Sequence, residues 1–326
     1  MLSLPDFRQK QIVICFAGEG QKLSFRNDNL LVTDYEDTIL LQATCHRIVA
    51  VWLIGGATLT TGILERSKKF GFPIQMLSYY FRPYGVWNSA TEGNTILRKK
   101  QYEYNEFGIA GRLVNNKINN QVGLLKTMRD KESELKEAIE KMNDYAGLAL
   151  KTTDLQSLLG IEGSATRLFF GHWYADMGWQ FRRPRTKCDI INTTLDIGYT
   201  FLFNMIECML NLYGFDLYQG VYHRQFYQRK SLVCDLVEPF RCIIDKQVKR
   251  AYNLKQLQAK DFTEARGQYF LKMDKHKEYS KWLLPALLEH KEAIFTYVQS
   301  YYRCFIRNKP IEEYPMFNIN TQQLCL

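Results

Sequence analysis

The chain changes its hydrophobic period once, near residue 90, and that single change restricts the folds open to it. From Gln11 to about Trp87 the pattern is short β-rich runs broken by turn residues: Gln11–Phe16, Leu23–Arg26, Leu30–Thr33, Thr38–Ala43, Arg47–Ile54 and Ile74–Ser78. Asn27-Asp28-Asn29 predicts a hairpin turn, and a helix over Leu59–Phe70 is closed by Gly71 and Pro73. Beyond Asn88–Asn94, a linker-like stretch, the spacing predicts helices over Thr95–Arg129, Lys131–Ala146, Thr153–Met177, Ile190–Leu212, Leu236–Asn253, Ala259–Leu271 and His276–Ile306. The expected fold is therefore α+β. A β-rich, sandwich-like N-terminal domain with one helix covers 1–88, a linker 89–95, an all-α domain 96–315, and a loosely held tail 316–326.

Composition narrows the partners and the compartment. Hydrophobic residues make up 46% of 326, enough for a real core rather than a disordered chain. Lys and Arg exceed Asp and Glu by 43 to 34, and the net charge of +9 attracts polyanions, although a uniformly basic surface would do so without specificity. Eight cysteines with no C-x-x-C spacing suggest neither a zinc ribbon nor a disulfide framework, so they read as reduced thiols. The first twenty residues carry Asp6, Arg8 and Lys10 in place of a signal-peptide core. The most apolar window, Val49–Leu64, is broken by Gly55-Gly56, so no membrane span and a cytoplasmic location are expected.

Four residues on three segments form a candidate metal site. Glu162 lies in the otherwise apolar stretch Leu158–Phe170, where a carboxylate must be paired, protonated or metal-bound, and a salt bridge to Arg167 would serve equally. His223 sits in a loop after the Ile190–Leu212 helix, a place where histidines are commonly just exposed. Asp235 and Glu238 are three apart, so both carboxylates reach one side if Pro239 opens the next helix, but such a pair also caps a helix and favours its dipole. One imidazole and three carboxylates suit a divalent cation acting on phosphodiesters. Walker A, H-E-x-x-H and G-x-S-x-G sequences are absent, and Gly18-Glu19-Gly20 lacks the third glycine of a dinucleotide loop.

Taken together the segments resemble the CRISPR-associated spacer integrases, which insert captured DNA into a CRISPR array. Gly160–Arg167 matches that family's Glu-bearing helix, and Asn192–Tyr199 approximates its N-A-L-L-N-x-G-Y helix. Gly214–His223 followed by Ser231–Arg241 matches its G-x-x-P-x-x-G-x-x-H and S-L-x-x-D-L-x-E-P-F-R segments, with Leu217 in place of the proline, Tyr222 in place of an aliphatic residue and, upstream, Asp196 in place of asparagine. Gly55 or Gly56 through Thr60, and Leu97–Tyr102, match the family's entries to its first helix and to its helical domain. The resemblance implies that Glu162, His223 and Glu238 ligate Mg²⁺ or Mn²⁺ with Asp235 as the accompanying acid. It also implies strand transfer of DNA 3′-hydroxyls, double-stranded DNA as captured fragment and repeat, a homodimer through the β-domain, and a small second CRISPR adaptation protein as partner. Arg167, Arg224, Arg229 and Arg241 are candidate phosphate contacts. A non-catalytic DNA-binding scaffold and a hydrolytic nuclease without an integrase role remain open on the residues alone.

Overall fold

Asn27 and Asp28 take φ of 48° and 57°, the left-handed backbone that a two-residue hairpin connection requires and that Asn and Asp tolerate best. They join β2 (Lys22–Arg26) to β3 (Asn29–Thr33). In the computed structural model the described residues are 2–17, 20–88, 93–129, 133–179 and 181–325, so most of the expected linker, 89–92, and the start of the expected Lys131–Ala146 helix lie outside them. The chain divides into one unit of Met1–Asn94 with Glu207–Gly214 and a second of Thr95–Ile206 with Phe215–Leu326.

The first unit begins with α1 (Leu4–Arg8) and β1 (Gln11–Phe16), and continues through β4 (Ile39–Thr44), β5 (Ile48–Ile54), α2 (Thr61–Phe70), β6 (Ile74–Leu77) and β7 (Pro83–Trp87). Strands β2, β3 and β4 form an antiparallel sheet, and a second sheet runs β1-β5-β6-β7, parallel except for its β6–β7 edge. Strand β5 is buried along all seven residues, as its unbroken Ile-Val-Ala-Val-Trp-Leu-Ile run requires of a strand covered on both faces. Val13 of β1, Val32 of β3, Ala43 of β4, Val51 of β5 and Ile63 of α2 share one core, which is the sandwich-like packing expected. Helix α2 ends at Gly71, whose φ of 72° no branched residue adopts cheaply. Strand β7 escaped the sequence reading because Pro83, Tyr84 and Gly85 lack the alternation of a half-buried strand, and it lies on an edge, where Pro is tolerated.

The second unit holds α3 (Thr95–Glu103), α4 (Gly108–Leu125), α5 (Ser133–Ala149), α6 (Leu155–Trp173), all but the last turn of α7 (Ile190–Asn211), α8 (Ser231–Val237), α9 (Arg241–Asn253), a hairpin of β8 (Phe262–Ala265) and β9 (Gln268–Leu271), then α10 (His276–Leu288), α11 (Lys291–Ile306) and a second hairpin of β10 (Met316–Asn318) and β11 (Gln323–Cys325). Helix α4 is the hub, packing on α5, α6, α8, α9 and β10. It is buried on nearly every side, which presses its polar residues to find partners within the protein; three of its asparagines do, whereas Gln121 Oε1 has none. Asn115 donates to the Ala146 carbonyl at 2.8 Å, Asn116 exchanges hydrogen bonds with the Phe317 backbone at 2.7 and 2.8 Å, and Asn120 donates to the Pro239 and Phe317 carbonyls at 3.0 and 2.9 Å.

Several expectations are corrected. The end expected to be a loose tail is the β10–β11 hairpin, held by those asparagines, with Phe317 only 2% exposed. The helix expected over Ala259–Leu271 is the β8–β9 hairpin: Arg266 and Gly267 both take positive φ, 53° and 71°, and this turn overrides the helical leaning of Ala, Lys and Glu before it. Thr95–Arg129 breaks into α3 and α4 before Gly108, whose missing side chain leaves room for Ile311. His276–Ile306 breaks at Glu289-His290, and Leu236–Asn253 is two helices joined by a 3-10 turn over Glu238–Phe240. Helix α6 is buried on one face only, with Leu159 exposed rather than in a core.

The seven cysteines described with their side chains are free thiols, and no helix among the described residues is long and apolar enough to cross a membrane. Two residues set measurable limits on the helical packing. A Cβ on Gly198 of α7 would lie 2.5 Å from Ile244 Cγ2 of α9, so Gly198→Ala should cost about 1–3 kcal/mol and lower the midpoint of thermal unfolding by several degrees. Asp245 is buried on α9, accepting from Tyr199 Oη at 2.7 Å and Tyr174 Oη at 3.2 Å. Burial pushes its carboxyl from 3.8 up to about 6, against the pull of the two hydroxyls and of Arg241 and Arg182. Because the folded value is raised, this group's stabilisation is full below about pH 4 and is lost as pH rises through about 6, a change on the order of 3 kcal/mol. Denaturant unfolding of the wild type and Asp245→Asn from pH 4 to 7 should show the asparagine protein gaining on the wild type by about that amount.

Candidate active site in the helical unit

The site begins with the loop between α7 and α8, which has little secondary structure of its own and is held from outside. Gln101 of α3 clasps it, accepting from the Asp216 backbone N–H at 2.9 Å and donating to the Asp216 carbonyl at 3.0 Å, while Tyr102 Oη donates to the Asp216 carboxylate. These are the last two residues of the Leu-Arg-x-x-Gln-Tyr segment. Farther along, Asp235 of α8 is fully buried, and its carboxylate gathers the loop. One oxygen accepts from the backbone N–H groups of Val221 (2.6 Å) and Tyr222 (3.1 Å), the other from the His223 N–H (2.8 Å), with His223 Nδ1 also 2.7 Å from it. Asp235 therefore does not cap the following helix, as an isolated D-x-x-E would suggest. Gly220 is required because a Cβ there would lie 2.7 Å from Asp235 Oδ2.

This arrangement sets the imidazole's tautomer. An ionised Asp235 accepts the proton on Nδ1, leaving Nε2 as the ring's lone-pair donor, the arrangement of a carboxylate-backed metal-binding histidine. Tyr222 stacks edge-on against His223 with ring centroids 5.0 Å apart, taking up the place of the aliphatic residue. Burial, followed by the nearby charges of Glu162, Glu238 and Asp235, holds the Tyr222 phenol well above its ordinary value, so it stays a neutral wall.

Glu162 projects from α6 and Glu238 from the 3-10 turn after α8, and the two meet on one cation. Lys117 of α4, whose side chain is 7% exposed, contacts Glu162 Oε1 and stands 2.7 Å from Glu238 Oε2. Thr166 Oγ1 donates to Glu162 at 3.2 Å, and Arg241 Nε donates to Glu238 at 2.9 Å. Burial would raise the Glu238 carboxyl, but the Arg241 and Lys117 cations outweigh it and hold Glu238 well below the usual carboxylate range. For Lys117 burial opposes the charge and the two glutamates restore it, leaving the ammonium's pKa above its ordinary value. Arg241 lies over the Tyr199 ring at 4.6 Å, and Tyr199 donates to Asp245, so Glu238 is braced by a chain of contacts running into the core.

The structure thus brings Glu162 and Glu238 together on Lys117 and joins His223 to Asp235. Among the described residues no three His, Cys, Asp or Glu side chains close on a single point as a ready cation cage. Glu162's ionic partner is Lys117 and not Arg167, which is exposed on α6, as is Arg224 in the loop; Arg229 is half-buried, and Arg241 turns inward to Glu238. Lys117 is the residue of this cluster missed from sequence. Its signal was there: Lys117 and Arg112 are the two charged residues of an otherwise apolar and amide-bearing run, Ile109–Leu125.

Comparison with known proteins agrees with this architecture. The family described as CRISPR associated protein Cas1 matches residues 14–283. A relative named CRISPR-associated endonuclease Cas1 1, from Thermodesulfovibrio yellowstonii, is 30% identical over 245 residues, which is 70% of this chain and 77% of the relative. Among solved structures, a chain of a Cas6-RT-Cas1–Cas2 complex aligns over 95% of this chain with a TM-score of 0.79 and 22% identity, and this chain spans 36% of it. A casposase bound to integration product aligns over 92% of this chain and 91% of its own length, with a TM-score of 0.71 and 17% identity. Those two likenesses are of fold, whereas the sequence match extends through every segment of the site, and the chain belongs to the CRISPR associated protein Cas1 family.

Proposed function

We propose that this chain is a metal-dependent DNA integrase of CRISPR adaptation, joining the 3′-hydroxyl ends of captured double-stranded DNA to the repeat of a CRISPR array. The observation that supports this reading is a cation seated between Glu162 and Glu238, together with an imidazole backed by Asp235. The Lys117 ammonium stands where a metal would be attracted, and two carboxylates with one Nε2 suit Mg²⁺ or Mn²⁺ by donor type. Glu162, Glu238 and His223 would hold that ion, whose chemistry is Lewis-acid neutralisation of the phosphate and ionisation of a bound hydroxyl. Asp235 fits a positioning role, since its oxygens already accept from three backbone N–H groups and from the ring.

In the proposed reaction the incoming 3′-oxygen forms a bond to phosphorus as the target's own P–O3′ bond breaks. The proton lost by the first hydroxyl is regained by the released one, so no energy cofactor is needed. Water in place of the 3′-hydroxyl gives hydrolysis, consistent with relatives named as endonucleases. Arg167 and Arg224, both exposed, and half-buried Arg229 are proposed to meet phosphates, whereas Arg241, paired with Glu238, is proposed to brace that carboxylate. Joining two ends of a repeat needs two sites, so a homodimer through residues 1–88 is proposed, assisted by a small second adaptation protein as the Cas2-containing neighbour suggests, in the cytoplasm where the array lies.

Two experiments test this. A short duplex with free 3′-hydroxyls, supercoiled plasmid and Mn²⁺ should give joined, higher-mass DNA, and Glu162→Ala, His223→Ala and Glu238→Ala should each abolish joining while leaving duplex binding within about twofold; nicking without joining would indicate a nuclease, and joining that persists in all three would overturn the site. Asp235→Asn, which disturbs the tautomer but keeps the volume, should cost about 10–100-fold in Mn²⁺ affinity or strand transfer, measured by titrating Mn²⁺.

A further inference from the structure

Lys117 is buried, bridges two carboxylates proposed as metal ligands, and has no part in the reaction just described. We infer that Lys117 is a built-in counter-ion that occupies the cation position between Glu162 and Glu238 in the metal-free protein and yields it to a divalent ion. The inference rests on the metal site proposed above and concerns what the chain does at that site before metal arrives.

The charges and geometry lead to it. Glu162 comes from α6 and Glu238 from the turn before α9, and without a cation between them two carboxylates would face each other in a poorly hydrated place, which disfavours the packing of both elements on α4. The Lys117 and Arg241 head groups match the two glutamates, so these four groups are neutral as they stand. A dication added to a neutral cluster is attracted only weakly until one of the two cations leaves. Arg241 is the fixed one: its Nε bonds Glu238 three residues away, and its guanidinium lies over the Tyr199 ring. Lys117 carries its ammonium on a flexible four-carbon stem that can withdraw without moving α4. A lysine here thus trades affinity for divalent ions against stability without them.

The test compares the full chain with Lys117→Met and Lys117→Arg, reading thermal unfolding in chelator and in Mn²⁺, and Mn²⁺ affinity from the spin-resonance signal of the free ion. Lys117→Met should unfold at least about 5 °C lower in chelator, recover most of that loss in Mn²⁺, and bind Mn²⁺ about tenfold or more tightly; Lys117→Arg should keep the wild-type midpoint in chelator. An unchanged midpoint in chelator together with unchanged or weaker Mn²⁺ binding in Lys117→Met overturns the inference. If Lys117→Met does not fold, the double variant Lys117→Met, Glu162→Gln, which removes one charge of each sign, should fold; its failure to do so also overturns it. Failure of the metal reading looks different, because then Mn²⁺ shifts neither the wild type nor Lys117→Met, and this inference falls with it.

Discussion

A buried polar row on one helix organises the whole helical unit. Helix α4 has almost no face open to water, yet carries Asn115, Asn116, Lys117 and Asn120, and each polar group left unpaired there would cost about 1–3 kcal/mol. Each is satisfied by an element other than α4. Asn115 takes α5, Asn116 the C-terminal hairpin, Asn120 that hairpin and the Pro239 carbonyl, and Lys117 takes α6 and Glu238. Apolar contacts could bring these pieces together in many registers, but directional bonds select one. The chemistry of the site is therefore inherited from the helix that builds the core.

A second device of the same kind works at the loop. Asp235 gathers three backbone N–H groups and the His223 ring around one carboxylate, which ties down a segment that has no regular secondary structure to hold it. Gln101 fixes the other end of that loop from α3. Behind Glu238 the contacts continue through Arg241 and Tyr199 to Asp245, whose raised pKa reflects how far from water the chain of contacts reaches. Preorganisation of this sort reduces the reorganisation needed when charge develops on a phosphate.

Much of this was legible beforehand, and unevenly. Strands β1 and β5, the Asn27-Asp28 turn, α2 and α7 follow from local pattern alone and agree with the structure to within a residue or two. The misread places have two causes: some are set by partners distant in sequence, others by a local turn that overrides composition. Asn116 and Asn120 are about two hundred positions from the hairpin they hold, and nothing within 316–326 announces it. The β8–β9 hairpin turns on two left-handed residues in a segment whose composition favours helix. Resemblance to a family pointed to Glu162, His223, Asp235 and Glu238, but composition and spacing could not say how they divide between those that face a cation and the one that holds another in place.

By itself, then, the sequence determined the α+β division, most elements, the basic balance and the residues that carry the family's motifs, because these depend on local periodicity and residue type. Only the tertiary structure showed that Asp235 acts on the His223 loop, that Arg241 turns inward, and that Lys117 sits between Glu162 and Glu238. The physical reason is that a buried charge is defined by its partner, and here Lys117 and Glu162 are 45 positions apart and Lys117 and Glu238 lie on elements that meet only when the helices pack.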